Sequence, residues 1–249
     1  MIKKVLMLLI FNSFLLSVEN TGLFNEANEF YLKKDYEKSA ELYEHLIENG
    51  YVNSQIFYNL GNSYYRLNKI GQAVWAYRNA IKFSPRDNDI VHNLKIAEAR
   101  RTDRILSPPL FIFHDLYRKV KSSFTIFEWS LLGGILFFIL SLIWIVKRSF
   151  DLKSKAIRTI FQLFLVITVF VHILILDTIS DRKKNESEAV IIERVDAMSS
   201  PTIGENKILF YINEGALVEV LDEKNQWIEI ILIDGKRGWV SSNALRKMQ

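Results

Sequence analysis

Eight residues at fixed spacing constrain this chain more than anything else in it: Phe57, Leu60, Gly61, Tyr64, Ala73, Tyr77, Ala80 and Pro85. Gly61, Ala73 and Ala80 are small enough to let two antiparallel helices approach closely. Leu60, Tyr64 and Tyr77 fill the space between them, and Pro85 ends the second helix. A weaker copy stands earlier in the chain, in Leu23, Ala27, Phe30, Ser39, Tyr43 and Leu46. One constant step carries it onto the first set, from Leu23 to Phe57 through to Leu46 to Ala80. Between its halves, Lys34-Asp35-Tyr36-Glu37-Lys38 supplies a turn and a helix start. The same step forward finds Val91 and Leu94, but Lys95 replaces the small residue, which predicts a lone capping helix from Asn88 to about Arg101. Stacked repeats need about three units to bury a continuous core. Two and a half are marginal, so packing against another part of the chain or against a partner is expected.

The spacing resembles that of the tetratricopeptide (TPR) repeat, W-x2-L-G-x2-Y followed by A-x3-F and P, with Phe57 in the tryptophan slot. The step between copies is the period of that repeat. The resemblance implies a unit that binds proteins and performs no chemistry. Composition points the same way. The 249 residues include no Cys, which excludes disulfides, thiolate metal sites and cysteine nucleophiles. Four His (His45, His92, His114 and His172) show no metal-ligand spacing. No phosphate loop, H-E-x-x-H or G-x-S-x-G motif is present. The chain is therefore expected not to be an enzyme and to use neither cofactor nor metal. A net charge of +4 is mild, and the cations cluster beside apolar segments, which suits a membrane and not nucleic acid.

Residues 1–18 read as a signal peptide or anchor, with Lys3 and Lys4 ahead of the apolar run Val5 to Leu16. The repeats and their cap occupy residues 19–104, and an amphipathic linker follows at 105–125, after the helix break at Pro108 and Pro109. In Leu110 to Ser123, Phe111, Phe113, Leu116, Tyr117 and Val120 alternate with charged residues. Such a helix either lies in the bilayer interface or simply connects its neighbours. Two transmembrane helices are predicted at 126–147 and 159–178. Each holds an unbroken stretch free of Asp, Glu, Lys and Arg, Trp129 to Val146 in the first and Thr159 to Leu176 in the second. Trp129 and Trp144 fall near the ends of the first, where aromatic belts form. The loop 148–158 is basic, with Arg148, Lys153, Lys155 and Arg158 against Asp151 and Lys147 just ahead. The positive-inside rule makes it cytoplasmic and places both flanks outside. His172, with Gln162 on its helix and Asp177 at the helix end, is the one candidate intramembrane titrating group. A hydrogen bond to the neighbouring span, or a place near the interface, accounts for it more simply than a proton relay.

From residue 186 to 249 the texture changes to short strands: Ala189 to Val195, Ile208 to Ile212, Ala216 to Leu221, Trp227 to Ile233 and Gly238 to Val240. Asp234-Gly235 between two of them is a hairpin signal. Trp227-Ile228-Glu229-Ile230, the hairpin, Gly238-Trp239-Val240 and the closing Ser242-Asn243-Ala244-Leu245 resemble a bacterial SH3 domain. That resemblance implies a small all-β SH3-like barrel. Ala197-Met198-Ser199-Ser200-Pro201 stands where that family has an N-V-R-S-G-P-like stretch. Trp227 and Trp239 suit core positions better than a ligand platform.

The expected fold is thus a multidomain α+β membrane protein. It combines α-helical TPR hairpins, two transmembrane helices and a C-terminal SH3-like barrel. The whole order, with Asn93-Leu94, Ala99-Arg100-Arg101, Thr102-Asp103-Arg104-Ile105, Pro108-Pro109 and Trp129, resembles the E-type protein of the Bat (aerotolerance operon) family. That resemblance implies a bacterial inner-membrane adaptor with periplasmic TPR and SH3 modules. Its implied partners are von Willebrand A domain membrane proteins and a MoxR-type AAA+ ATPase, and its implied process is oxidative-stress tolerance or envelope integrity. The alternative is a cell-wall module that binds peptidoglycan through the SH3 domain.

Asn25, Asn59 and Asn93 recur at the repeat period, as do Asn28 and Asn62. On the first helix of each repeat they turn toward the concave groove, where amide side chains can hold an extended peptide by paired donor and acceptor bonds. Tyr58, Tyr65 and Arg66 lie near enough to add contacts. These eight residues are the candidate partner-binding site.

Overall fold

The computed structural model describes residues 21–100, 112–150, 154–185, 187–201 and 207–249. The expected export signal, the break at Pro108 and Pro109, and Asp151 and Lys153 of the basic loop lie outside these residues. Five helices come first: α1 (residues 21–32), α2 (Tyr36–Glu48), α3 (Ser54–Arg66), α4 (Ile70–Phe83) and α5 (Asn88–Ala99). The repeat period is written into their ends. Asn53 and Asp87 cap α3 and α5 with side-chain oxygens on backbone N–H groups. Lys34 and Asn68, both with positive φ, turn the chain from α1 into α2 and from α3 into α4. The same pair of backbone bonds closes both turns, Lys34 N–H to Tyr31 and Asp35 N–H to Phe30, then Asn68 N–H to Tyr65 and Lys69 N–H to Tyr64.

Ala27, Tyr43, Leu46, Phe57, Leu60, Ala73, Tyr77 and Ala80 are all buried in one core, as the spacing predicts. Gly61 shows why a small residue is needed. A Cβ there would meet the Tyr77 ring at 2.6 Å, closer than any side chain tolerates.

The strands form one antiparallel sheet in the order β3-β2-β6-β5-β4-β1-β7. They are β1 (Glu188–Ile191), β2 (Val195–Met198), β3 (Ile208–Ile212), β4 (Leu217–Lys224), β5 (Trp227–Leu232), β6 (Arg237–Ser241) and β7 (Leu245–Lys247). Every strand contributes to one aliphatic core, including Ile191, Ala197, Ile212, Val218, Ile230, Val240 and Leu245, so the sheet curls about it. Two expectations need correction. The run Ala189 to Val195 is not one strand but two, because the chain turns at Glu193 and Arg194 and β2 leaves to pair with β3 and β6. Trp239 is buried, whereas Trp227 is only half-buried, and the sheet core is built from aliphatic side chains.

The helices and the sheet make one compact unit. Val190 of β1 and Met248 belong to the helical core and not to the sheet's own. The marginal repeat array is thus completed by another part of the chain. At the join, Gly71 on α4 lies so close to the sheet that a Cβ would sit 2.7 Å from the Ile191 carbonyl oxygen. Its N–H donates to Glu214 Oε2 at 2.8 Å.

The second unit holds α6 (Ile112–Ser122), α7 (Ile126–Ser149) and α8 (Lys155–Asn185). Thr125 and Glu128 form a reciprocal capping box at the start of α7. Both α7 and α8 are long and apolar enough to cross a membrane. Most of their large apolar side chains face outward, among them Phe137, Phe138, Val166 and Leu176. Trp144 is exposed. Trp129 is not: it is buried against Val171 and Leu174 of α8, and its indole N–H donates to the Lys121 carbonyl at 3.1 Å. Lys121 in turn binds Asp177 and Asp181 of α8, and the Tyr117 hydroxyl donates to Asp177 at 2.6 Å. These bonds fix α6 to the end of α8. Of the two simpler readings of His172, the bond across to α7 is not made among the described residues. The His172 Nδ1–H donates to the Thr168 carbonyl of its own helix at 2.7 Å.

Candidate functional site

The candidate residues separate into two groups that share a boundary. One group is a repeated hydrogen-bond triad. The Tyr43 hydroxyl donates to Asn28 Oδ1 at 2.6 Å, and Asn59 Nδ2 donates to the same oxygen at 3.0 Å. The next layer repeats it: the Tyr77 hydroxyl donates to Asn62 Oδ1 at 2.8 Å, and Asn93 Nδ2 donates to it at 3.0 Å. Asn28 and Asn59 therefore spend much of their bonding capacity tying α1 to α3. Asn62 and Asn93 do the same between α3 and α5. Asn25 is exposed and stands apart from both triads.

The second group lines a groove of about 320 Å³ along α1, α3 and α5. Of the expected residues, Tyr58, Asn62, Tyr65, Arg66 and Asn93 reach it; Asn25, Asn28 and Asn59 do not. The Asn93 amide also donates to the Tyr58 hydroxyl at 3.1 Å, so the triad floors the groove while tyrosine rings wall it. Three lining residues escape the sequence reading: Tyr31, Tyr77 and Ile96. The repeat spacing gives Tyr77 a packing role, yet its hydroxyl edge reaches the groove. Tyr31 carries a usable signal, because it is the counterpart of Tyr65 one repeat earlier.

Burial keeps the inner tyrosines protonated. It pushes the Tyr43 hydroxyl up to about 12. Burial raises Tyr64 as well, helped by the Glu44 carboxylate that accepts its hydrogen bond, and burial raises Tyr77 beside Tyr58. A group with a higher folded than unfolded pKa stabilises the fold fully below its unfolded value, about 10 for tyrosine. That stability is lost as pH rises toward the folded value. Melting temperature should accordingly hold to about pH 10 and fall steeply above it, with tyrosinate absorbance and loss of helical circular dichroism appearing together. Ionisation of all tyrosines before helix is lost would contradict these placements.

Opposite the groove, the helices grip the sheet. Arg246 of β7 makes a two-pronged ion pair with Glu44 of α2, both contacts at 2.5 Å, and its guanidinium stacks on Trp75 at 3.4 Å. The Trp75 indole N–H donates to the Lys247 carbonyl at 2.8 Å. Asn79 accepts from the Gln249 backbone N–H at 3.0 Å. On the end strand β3, Ile208, Leu209 and Tyr211 are exposed, and Arg194 lies over the Tyr211 ring at 4.9 Å.

Residues 199–246 match the bacterial SH3 domain family, which covers β3 to β6 and most of β7. Residues 199–246 are therefore a bacterial SH3 domain, as the hairpin and Gly238-Trp239-Val240 led one to expect, and β1 and β2 lie ahead of the match. A comparison with curated proteins finds no match to the chain.

Proposed function

We propose that this chain is a membrane-held adaptor that acts by binding and not by catalysis. The observation behind this reading is the groove: a concave, tyrosine- and amide-lined surface on a helix array whose other side is clamped to an SH3 domain. Aromatic rings and amides suit an extended protein segment, offering apolar contact and backbone hydrogen bonds together. The common period of packing, caps and triads supports the TPR reading of α1 to α5. The proposed setting is a Bat-type assembly in the bacterial inner membrane, with von Willebrand A domain membrane proteins and a MoxR-type AAA+ ATPase as partners. Affinity capture of the full-length protein after crosslinking in cells tests it. Recovery of those two protein classes supports the assembly. Recovery of murein enzymes or muropeptides in their place moves the function to the SH3 domain, whose exposed β3 edge favours that second reading.

In this proposal α7 and α8 span the membrane, and α6 lies at its outer surface. Their outward-facing apolar side chains would be costly in water, and α6 presents Phe113, Leu116 and Val120 outward from the end of α8. The basic residues Lys147, Arg148, Lys155 and Arg158 between the spans belong to the cytoplasm. Because the chain lacks Cys, single-cysteine variants report orientation cleanly. Ser154→Cys should resist a membrane-impermeant maleimide until the inner membrane is opened. Ser122→Cys and Glu223→Cys should react without that step. The reverse pattern would overturn the orientation.

A further inference from the structure

We propose that the groove selects an acidic extended segment whose carboxylates are taken by Arg66 and Arg100. This rests on the partner-binding reading above and adds the chemistry of the partner. The observation is a recurring pair. Tyr31 and Tyr65 are counterparts in successive repeats, and so are Arg66 and Arg100. Arg66 lines the groove together with Tyr31. The Arg100 guanidinium lies over the Tyr65 ring at 4.5 Å. Each arginine is thus braced by the tyrosine of the helical layer before it. Both arginines are exposed, and among the described residues neither has a carboxylate partner, unlike Arg78 with Glu98 and Arg246 with Glu44.

Arg100 stands beside the groove, over its Tyr65, and the lining itself has the same bias. Among the described residues, no carboxylate lines the groove. Asn62 Oδ1 already accepts two hydrogen bonds, so this side chain is left mainly with its amide N–H groups to offer. A surface of donors and two braced cations favours a ligand rich in acceptors. Guanidinium–carboxylate bonds are the strongest of this kind, because the planar fork matches both oxygens. Bracing against tyrosine lowers the side-chain entropy lost on binding. Packed helices lie roughly 8–10 Å apart. A chain in the extended polyproline II form rises about 3.1 Å per residue and turns once every three residues, so every third side chain shares a face. Acids at every third position therefore fit two arginines one layer apart.

The test is fluorescence anisotropy of the full chain in detergent micelles with two labelled peptides, one with Glu at every third position and one with Gln there instead. The Glu peptide should bind at least about tenfold more tightly at low salt. Raising salt should shrink that preference. Arg66→Gln and Arg100→Gln should each weaken the Glu peptide about fivefold and the Gln peptide by clearly less, so that the preference for Glu shrinks. Both sites are exposed, and an unaltered melting curve confirms that the variants fold. Equal affinity for the two peptides overturns the proposal, as do arginine variants that bind like the parent or a failure of both peptides to bind. If both bind equally, the groove still serves as a peptide site and only its acid selectivity fails. If the Glu peptide binds but no partner is captured in cells, the adaptor role fails and the acid selectivity stands.

Discussion

A chain with Trp75 replaced by alanine is expected to lose about 4 kcal/mol of folding stability, the middle of the range for a core tryptophan. Trp75 is fully buried and packs edge-on against Phe57 with ring centroids 5.6 Å apart. It also joins the two modules directly, through its N–H to the Lys247 carbonyl and through the Arg246 guanidinium on its face. Truncation removes apolar area, a hydrogen bond and a cation–π contact in one step, and leaves the Lys247 carbonyl without that donor. Urea unfolding followed by circular dichroism reads the loss. Trp75→Phe keeps most of the packing and should cost only about 1–2 kcal/mol. A Trp75→Ala midpoint shift no larger than that of an exposed substitution would show that the helices do not depend on this join.

Glu44→Gln should cost about 3 kcal/mol, because it strands a charge. Arg246 and Glu44 keep only 27% and 18% of their side-chain surface exposed, so neither is well solvated when the other is neutralised. Glu44 Oε1 also accepts from the Tyr64 hydroxyl at 2.5 Å, which ties three elements to one carboxylate. The cost should fall mainly on the odd charge and not on the lost attraction. Removing both partners in Glu44→Gln with Arg246→Met is therefore expected to recover much of the loss. The double variant should unfold at a higher urea concentration than Glu44→Gln alone. A double variant as weak as the sum of the two single ones would show no coupling between the two charges and would contradict this account.

How far the sequence can be read depends on whether a feature is local. Phe57, Gly61 and Tyr77 are legible because each repeat must satisfy the same helix-packing geometry at the same period. Ile208 to Ile212 and the Asp234-Gly235 hairpin are legible because turn chemistry bounds them. The run Ala189 to Val195 misleads, since its apolar stretch leads straight into Glu193 and Arg194 with no glycine or proline to mark the corner. The incomplete repeat array shows that a join is needed, but not which residues make it. Glu44, Gly71, Glu214 and Arg246 look like ordinary surface residues until chain segments far apart in sequence come together. In the site, five of the eight candidates line the groove. Asn28 and Asn59 instead serve the scaffold, because a tyrosine hydroxyl on the second helix claims the oxygen that a ligand would use. Arg100 is visible as the repeat of Arg66, but only its place over Tyr65 gives it a role.

The claim at the centre of this account is that partners are held in the groove of α1, α3 and α5. Site-specific photocrosslinking in living cells tests it most directly. A photoreactive phenylalanine analogue placed at Ile96, in the groove, is compared with one at Tyr211, on the exposed edge of the SH3 domain. The account predicts a discrete crosslinked protein from position 96 that disappears when Tyr65 and Arg66 are both replaced by alanine, with the protein still present in the membrane. Crosslinks from position 211 alone, with position 96 silent, would contradict it and make the SH3 domain the binding end of the molecule.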